Sequence, residues 1–333
     1  MTDRLFLMHG MGYQPEGWHV ETKQMLQDFY KEYVRGGATR DLDEVLKIVP
    51  ITYDQIFRNL LQRWDDAADQ AKVANKFGVD LVQGLLGWAN GVAEVEDNFF
   101  WTHVADVILY RYSKFVREGV RVYAANQINQ ELQSMTRSET WSIIGHSLGT
   151  MVAHDALHGW YTERENPRNR CTLVMMVSNV SRILQTQPKV LSDGTTVRPG
   201  GACDYYYTVY HPIDPFTQIR PFKPVVWPSR DAHLSREYRL INVDHIQQPN
   251  IHALNHYLGH PDVIFALFEG MNFQITLAKQ EEYRRKFNPV GTLDDANLVK
   301  IRQGSEDIGI GLPQEASALV EIWKRFQAFL RTF

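Results

Sequence analysis

Cysteine is nearly absent from this chain: Cys171 and Cys203 are the only two among 333 residues. Two thiols make no disulfide framework of the kind that staples small secreted domains, and their spacing fits no zinc site. Both read as buried thiols. Basic charge is not in excess either, since 35 Lys and Arg stand against 39 Asp and Glu, leaving a formal net charge of -4 and a pI near 6.3. No electrostatic footprint for a phosphate backbone follows, and nucleic acid is not an expected partner. Long apolar runs are missing too. None approaches the roughly 18 uninterrupted apolar residues of a membrane span, so no integral membrane segment is expected, although the stretch 77–95 is apolar enough to touch a lipid or acyl surface. The opening Met1-Thr2-Asp3-Arg4 leads into an apolar run that ends at His9-Gly10. That run is too short for a secretory signal and has no small-residue cleavage site, so the expected location is cytoplasmic. Internal repeats and low-complexity tracts are absent, and no element implies a metal or organic cofactor.

What is present is an ordinary globular composition, 44% hydrophobic and 22% charged, in a length that suits one elaborated domain covering 1–333. Short apolar runs alternate with amphipathic stretches, the pattern of an α/β fold whose mostly parallel sheet is covered on both faces. Six runs predict strands at 5–8, 46–51, 141–144, 172–177, 205–210 and 238–243, each rich in β-branched, aromatic or other apolar residues. Apolar residues at three-to-four spacing predict helices over 16–33, 53–71, 104–118, 120–135, 148–160 and 316–329,. Between the second and third strands lie about ninety residues without a strand signal, far more than a crossover needs. The segment 54–137 is therefore read as a helical insertion. Its aromatic residues, Trp64, Trp88, Phe99, Phe100 and Trp101 among them, could cap an apolar pocket or be plain core. The stretch 187–202, with Ser192-Asp193-Gly194 and Pro199-Gly200-Gly201, reads as a surface loop,.

In Trp141-Ser142-Ile143-Ile144-Gly145-His146-Ser147-Leu148-Gly149-Thr150 a strand runs directly into Gly-x-Ser-x-Gly and then into a helix. A sharp strand-to-helix turn strains the serine backbone, and side chains at the two flanking positions would collide, so the glycines are a steric requirement. At an average glycine usage near 7% the bare pattern arises by accident in roughly one chain of this length in ten, so its context carries the weight. The turn lifts the Ser147 hydroxyl above the sheet edge as a candidate nucleophile. The following helix directs its free N–H groups and positive end at developing negative charge, which makes the Leu148 N–H a candidate oxyanion donor.

Leu5-Phe6-Leu7-Met8 is a buried strand that ends in His9-Gly10-Met11-Gly12, where a second oxyanion donor is supplied in enzymes of this kind; the Met11 N–H is the candidate. An acid is expected after one later strand and a histidine after the next. Asp214, flanked by Pro212 and Pro215 behind the strand 205–210, is the candidate acid, with Asp244 as the fallback,. Asn250-Ile251-His252-Ala253-Leu254-Asn255-His256-Tyr257-Leu258-Gly259-His260 offers several histidines, with His245 upstream. His252 follows the last strand after a polar loop and is the first candidate for the base, and His256 one turn further is the second. His245 and His260 read as hydrogen-bonded structural histidines.

These elements together resemble the α/β-hydrolase serine esterases and lipases: Gly-His-Ser-Leu-Gly at 145–149, the early His9-Gly10 loop, and His252-x-Leu254-x-x-Tyr257-Leu258, which is similar to the segment bearing the catalytic histidine in class 3 lipases. Asp106-Val107-Ile108-Leu109-Tyr110 before the long helix also resembles intracellular lipase-like members. The motifs span about half the chain. The resemblance implies a Ser147-His252-Asp214 triad with Met11 and Leu148 as the oxyanion hole, an acyl-enzyme, and a small-molecule ester or lipid-like substrate. Thioester hydrolysis or acyl transfer would use the same triad. A hydrolase-fold binding protein without chemistry would show a broken triad position, and candidates for all three remain.

Overall fold

Each of the six apolar runs forms a strand, and the inner ones, buried on both faces, are apolar almost continuously, whereas the two outermost carry exposed residues,. In a computed structural model of the chain the six are β1 (Asp3–Met8), β2 (Leu46–Ile51), β3 (Trp141–His146), β4 (Cys171–Val177), β5 (Cys203–Tyr210) and β6 (Glu237–Asn242). The structure describes residues 2–10, 14–57, 59, 110, 114–163, 171–184, 197–212, 214, 217, 222, 237–247, 253–288 and 290–291. The six strands form one sheet in the order β2-β1-β3-β4-β5-β6, with every pairing parallel. A two-stranded sheet, β7 (Ile246–Gln247) with β8 (Val290–Gly291), is separate from it. This is an α/β fold, and its layout is compatible with the α/β-hydrolase class.

Alternate residues of each strand feed two cores, as the two-residue period of a pleated strand requires. Phe6, Met8, Ile143, Val174 and Met176 face one side, where they pack with Val116, Val120, Ala124 and Ile128 of α3 (Lys114–Gln133) and with Met151, Val152 and Ala156 of α4 (Leu148–Glu163). Leu5, Leu7, Ile144, Leu173 and Met175 face the other, against Leu26, Phe29 and Tyr30 of α1 (Val20–Tyr33) and Val263, Ile264, Leu267 and Phe268 of the later helix Pro261–Gly270. Full burial of such a side chain is worth roughly 1.5–3 kcal/mol. Pro50 sits on β2, outermost in the order, where a missing N–H interrupts no central ladder. Cys171 and Cys203 are buried thiols, opposite one another across β4 and β5.

The chain steps from β1 outward to β2, then back past β1 to β3 and onward to β6. Connections from the ends of β1 and β3 thus diverge, and this reversal marks the carboxyl ends of those two strands as the switch point at which open α/β sheets place ligands,.

Several elements differ from expectation. Gly119 lies between the helices expected over 104–118 and 120–135, yet Lys114–Gln133 is one continuous helix. A Cβ at Gly119 would find Ile56 at 3.9 Å as its nearest described neighbour, so the glycine answers no crowding and only weakens the helix slightly,. α1 begins at Val20 rather than residue 16, because Gly17 at φ 82 closes turns with Trp18 N–H on Pro15 O and Val20 N–H on Gly17 O. Short α2 (Leu42–Val45) and α5 (Ser181–Leu184), and α6 (Leu254–Leu258), α7 (Pro261–Gly270) and α8 (Leu277–Lys286), are further described helices. At the end of the expected surface loop 187–202, Val197 and Ala202 are buried. The capping aromatics of the insertion and the expected helix 316–329 lie outside the described residues.

Candidate active site

β3 ends at His146 and α4 begins at Leu148, so Ser147 alone makes the turn. Its φ is 53, in the left-handed region that non-glycine residues avoid, and the position is held from both sides,. Ser147 N–H donates to Val177 O at the end of β4 (3.0 Å), and Ser147 O accepts from Thr150 N–H (2.9 Å) and Thr150 Oγ1 (2.7 Å). A Cβ on Gly145 would lie 2.9 Å from Gly149 O and 3.0 Å from Thr150 Cα, and one on Gly149 would lie 2.4 Å from His9 O and 2.7 Å from Met8 O. Both glycines of the motif are thus demanded by backbone contacts. Ser147 is fully buried, and its Oγ has no hydrogen-bond partner among the described residues. Such a hydroxyl is unusual unless it serves chemistry or an unseen partner. Leu148, first in its helix, has no intrahelical acceptor for its N–H.

The β1 loop lies directly over this turn, since a Cβ at Gly10 would stand 3.1 Å from Ser147 Cβ and 3.3 Å from His146 Nδ1. Only a residue without a side chain leaves that approach open. His9 anchors the loop. Its ring stacks on Tyr53 (centroids 4.2 Å apart, 19° between planes) and meets Trp18 edge-on, its Nδ1 donates to Gly10 O (2.7 Å), and its own carbonyl accepts from Tyr53 Oη. Burial pushes the imidazole pKa down to about 4, outweighing the hydrogen bond to Gly10 and Asp54 Oδ1 at 3.7 Å, so His9 is neutral and its Nδ1–H fixes the Gly10 carbonyl,. Met11 lies outside the described residues.

Asp214 sits behind β5 in a loop whose backbone is tied locally: its N–H donates to His211 O (3.0 Å), and its carbonyl accepts from Thr217 N–H (3.1 Å) and Thr217 Oγ1 (3.0 Å). The side chain is fully buried, and its Oδ2 accepts from Ser178 Oγ and from Tyr257 Oη (2.9 Å). Ser178 follows β4, the strand between those of Ser147 and Asp214. Ser147 and Asp214 therefore follow strands two apart at the same sheet edge. The fallback acid Asp244 is exposed.

His252 lies outside the described residues. The chain two residues later starts α6, and that helix delivers Tyr257 onto Asp214. His245 Nε2 donates to His256 O (2.9 Å), and His260 Nδ1 accepts from Asp262 N–H (3.2 Å) to cap α7; both are engaged in structural bonds. His256, half-buried on α6, remains the second candidate. Ser178 escaped sequence reasoning because nothing marks a serine for a left-handed backbone or for a bond to a residue 36 positions away. Tyr257 was present in the His-x-Leu-x-x-Tyr-Leu element, without a role.

The arrangement joins a strained serine, a glycine loop against it, unspent helix N–H groups and a buried carboxylate on one sheet edge. Among the described residues no group of three or more His, Cys, Asp or Glu could hold a metal ion, and no helix is long and apolar enough to cross a membrane. The chain matches no protein-family model, no curated protein and no solved structure.

Proposed function

We propose that the chain is a serine hydrolase acting on carboxylic esters. The observation that carries this reading is Ser147: a buried hydroxyl with no hydrogen-bond partner among the described residues, on a backbone held at φ 53 at the sheet edge where the strand order reverses. Strain of this kind costs on the order of 1–3 kcal/mol and persists only where surrounding structure enforces it.

In the proposed reaction Ser147 Oγ attacks the ester carbonyl while His252 takes its proton. Negative charge on the carbonyl oxygen is met by the N–H groups of Leu148 and Met11. Asp214 accepts the other imidazole N–H, fixing the tautomer and stabilising the imidazolium. The imidazolium returns the proton to the departing alcohol, leaving an acyl-enzyme. Water, deprotonated by His252, then attacks the acyl carbon, and release of the carboxylic acid restores Ser147. Support comes from Gly10 packed on Ser147, the start of α4 at Leu148, and Asp214 in its buried pocket beside α6.

The test is covalent labelling by a fluorophosphonate, with turnover of p-nitrophenyl esters measured in parallel. Wild type should label and turn over, and Ser147→Ala should do neither. A wild type that stays unlabelled and inert overturns the proposal and leaves a binding protein on this fold.

A further inference from the structure

We propose that Ser178 and Tyr257 are positioning residues that hold Asp214 as an oriented, charged carboxylate by donating to a single oxygen, Oδ2; this rests on the hydrolase reading above. Ser178 repeats the backbone of Ser147 one strand along. Each is the residue after a central strand, each has φ near 50 (53 and 49), and each donates its N–H to the last residues of the neighbouring strand, Ser147 to Val177 O and Ser178 to Val209 O (2.9 Å). Among the described residues only Asn272 shares positive φ without being glycine. Glycine would occupy position 178 with less strain. What serine adds there is a hydroxyl, and that hydroxyl donates to Asp214 Oδ2.

Tyr257 supplies the second donor to the same oxygen at 2.9 Å. Ser178, Asp214 and Tyr257 are all fully buried, so neither hydroxyl can exchange its bond for one with bulk water. Two O–H donors on a buried carboxylate favour its charged form and stop it rotating. They also join three elements at one atom: the end of β4, the loop after β5, and α6, which begins just past position 252.

The test uses Ser178→Gly, which suits the left-handed backbone while removing the hydroxymethyl group that carries the donor,. The thermal unfolding temperature should fall only modestly, because the relieved strain at φ 49 offsets part of the lost hydrogen bond and of the added chain entropy,. Turnover of a p-nitrophenyl ester should fall about tenfold in kcat/KM, the loss of one hydrogen bond to a charged group. The acid limb of the pH profile should move up by roughly half a unit or more, because a carboxylate stripped of a donor holds the imidazolium harder. A role in folding alone moves no pH limb. Tyr257→Phe, which keeps the buried ring, should shift the same limb the same way, and it decides the matter if Ser178→Gly does not fold. Variants that turn over ester with wild-type kcat/KM and an unmoved limb overturn this inference while leaving the hydrolase reading intact. Absence of Ser147-dependent turnover in the wild type overturns both, at the earlier step.

Discussion

Replacing Gly149 by alanine tests whether the start of α4 and the β1 loop are packed as closely as the site requires. The added Cβ would fall 2.4 Å from His9 O and 2.7 Å from Met8 O, inside any contact that real Cβ atoms make. Both obstacles are backbone atoms, so no rotamer change relieves them. The first turn of α4 and the loop must separate by roughly 1 Å before carbon and oxygen reach ordinary contact. Overpacking a core costs about 1–3 kcal/mol, and the upper end applies where nothing flexible can yield. The same gap displaces the Leu148 N–H and the Ser147 hydroxyl relative to Gly10, and misplacement on that scale costs on the order of 100-fold in rate. Urea unfolding should therefore show a loss of about 3 kcal/mol, and fluorophosphonate labelling, measured well below the unfolding transition, should slow steeply. Gly119→Ala is the control. In the interior of α3, with Ile56 at 3.9 Å as its nearest described neighbour, it should gain about 0.5–1 kcal/mol through helix propensity and leave labelling untouched. A Gly149→Ala protein as stable and as quickly labelled as wild type would refute the close approach of His9 O and, with it, the steric reason given for the second motif glycine.

Two further outcomes are expected. Arg117 grips Asp155 with Nε on Oδ2 (2.7 Å) and Nη2 on Oδ1 (2.9 Å), while Tyr110 Oη donates to the same carboxylate (2.7 Å), tying α3 to α4, the helix that follows Ser147. Arg117→Ala strands a buried charge and should cost about 3–5 kcal/mol in urea unfolding, whereas adding Asp155→Ala should recover some of that loss; a double variant no better than the single would contradict it. His9 and His154 are buried, and desolvation lowers each pKa from 6.5 to about 4. The unfolded chain then binds more protons than the folded one across that window. Stability is full above pH 6.5 and falls as pH drops toward 4, by on the order of 3 kcal/mol for each group. Urea midpoints recorded through the window should decline, more shallowly in His154→Gln, and a flat wild-type profile would count against neutral buried imidazoles.

The inner strands were legible because burial on both faces leaves little room for polar residues: Leu5-Phe6-Leu7-Met8 and Cys171 through Val177 read as apolar whichever face each residue meets. The turn at Ser147 was legible for a different reason. Backbone crowding at 145 and 149 admits only glycine, so the constraint is written in residue type. Helices whose burial departs from a one-sided stripe were harder. In α7 the run Val263 to Phe268 is buried all round and has no polar face to set its period, although His260 and Pro261 mark its start. In α8 no residue is buried, so there is no apolar period to find, and only the Thr276 cap signals it.

Asp214 could be reached by strand counting, since it depends on where a strand ends. Its donors could not, because a bond between Ser178 and Asp214 exists only once β4 and β5 lie side by side. The same holds for the left-handed backbone at Ser178. Glycine advertises such a conformation, while a serine in it looks like any other serine. Residue type therefore records a steric requirement faithfully and a hydrogen-bonding one poorly, since many sequences satisfy a donor and few satisfy a contact at 2.4 Å. A serine where glycine would be easier is the exception, because the strain it accepts points to what its hydroxyl does.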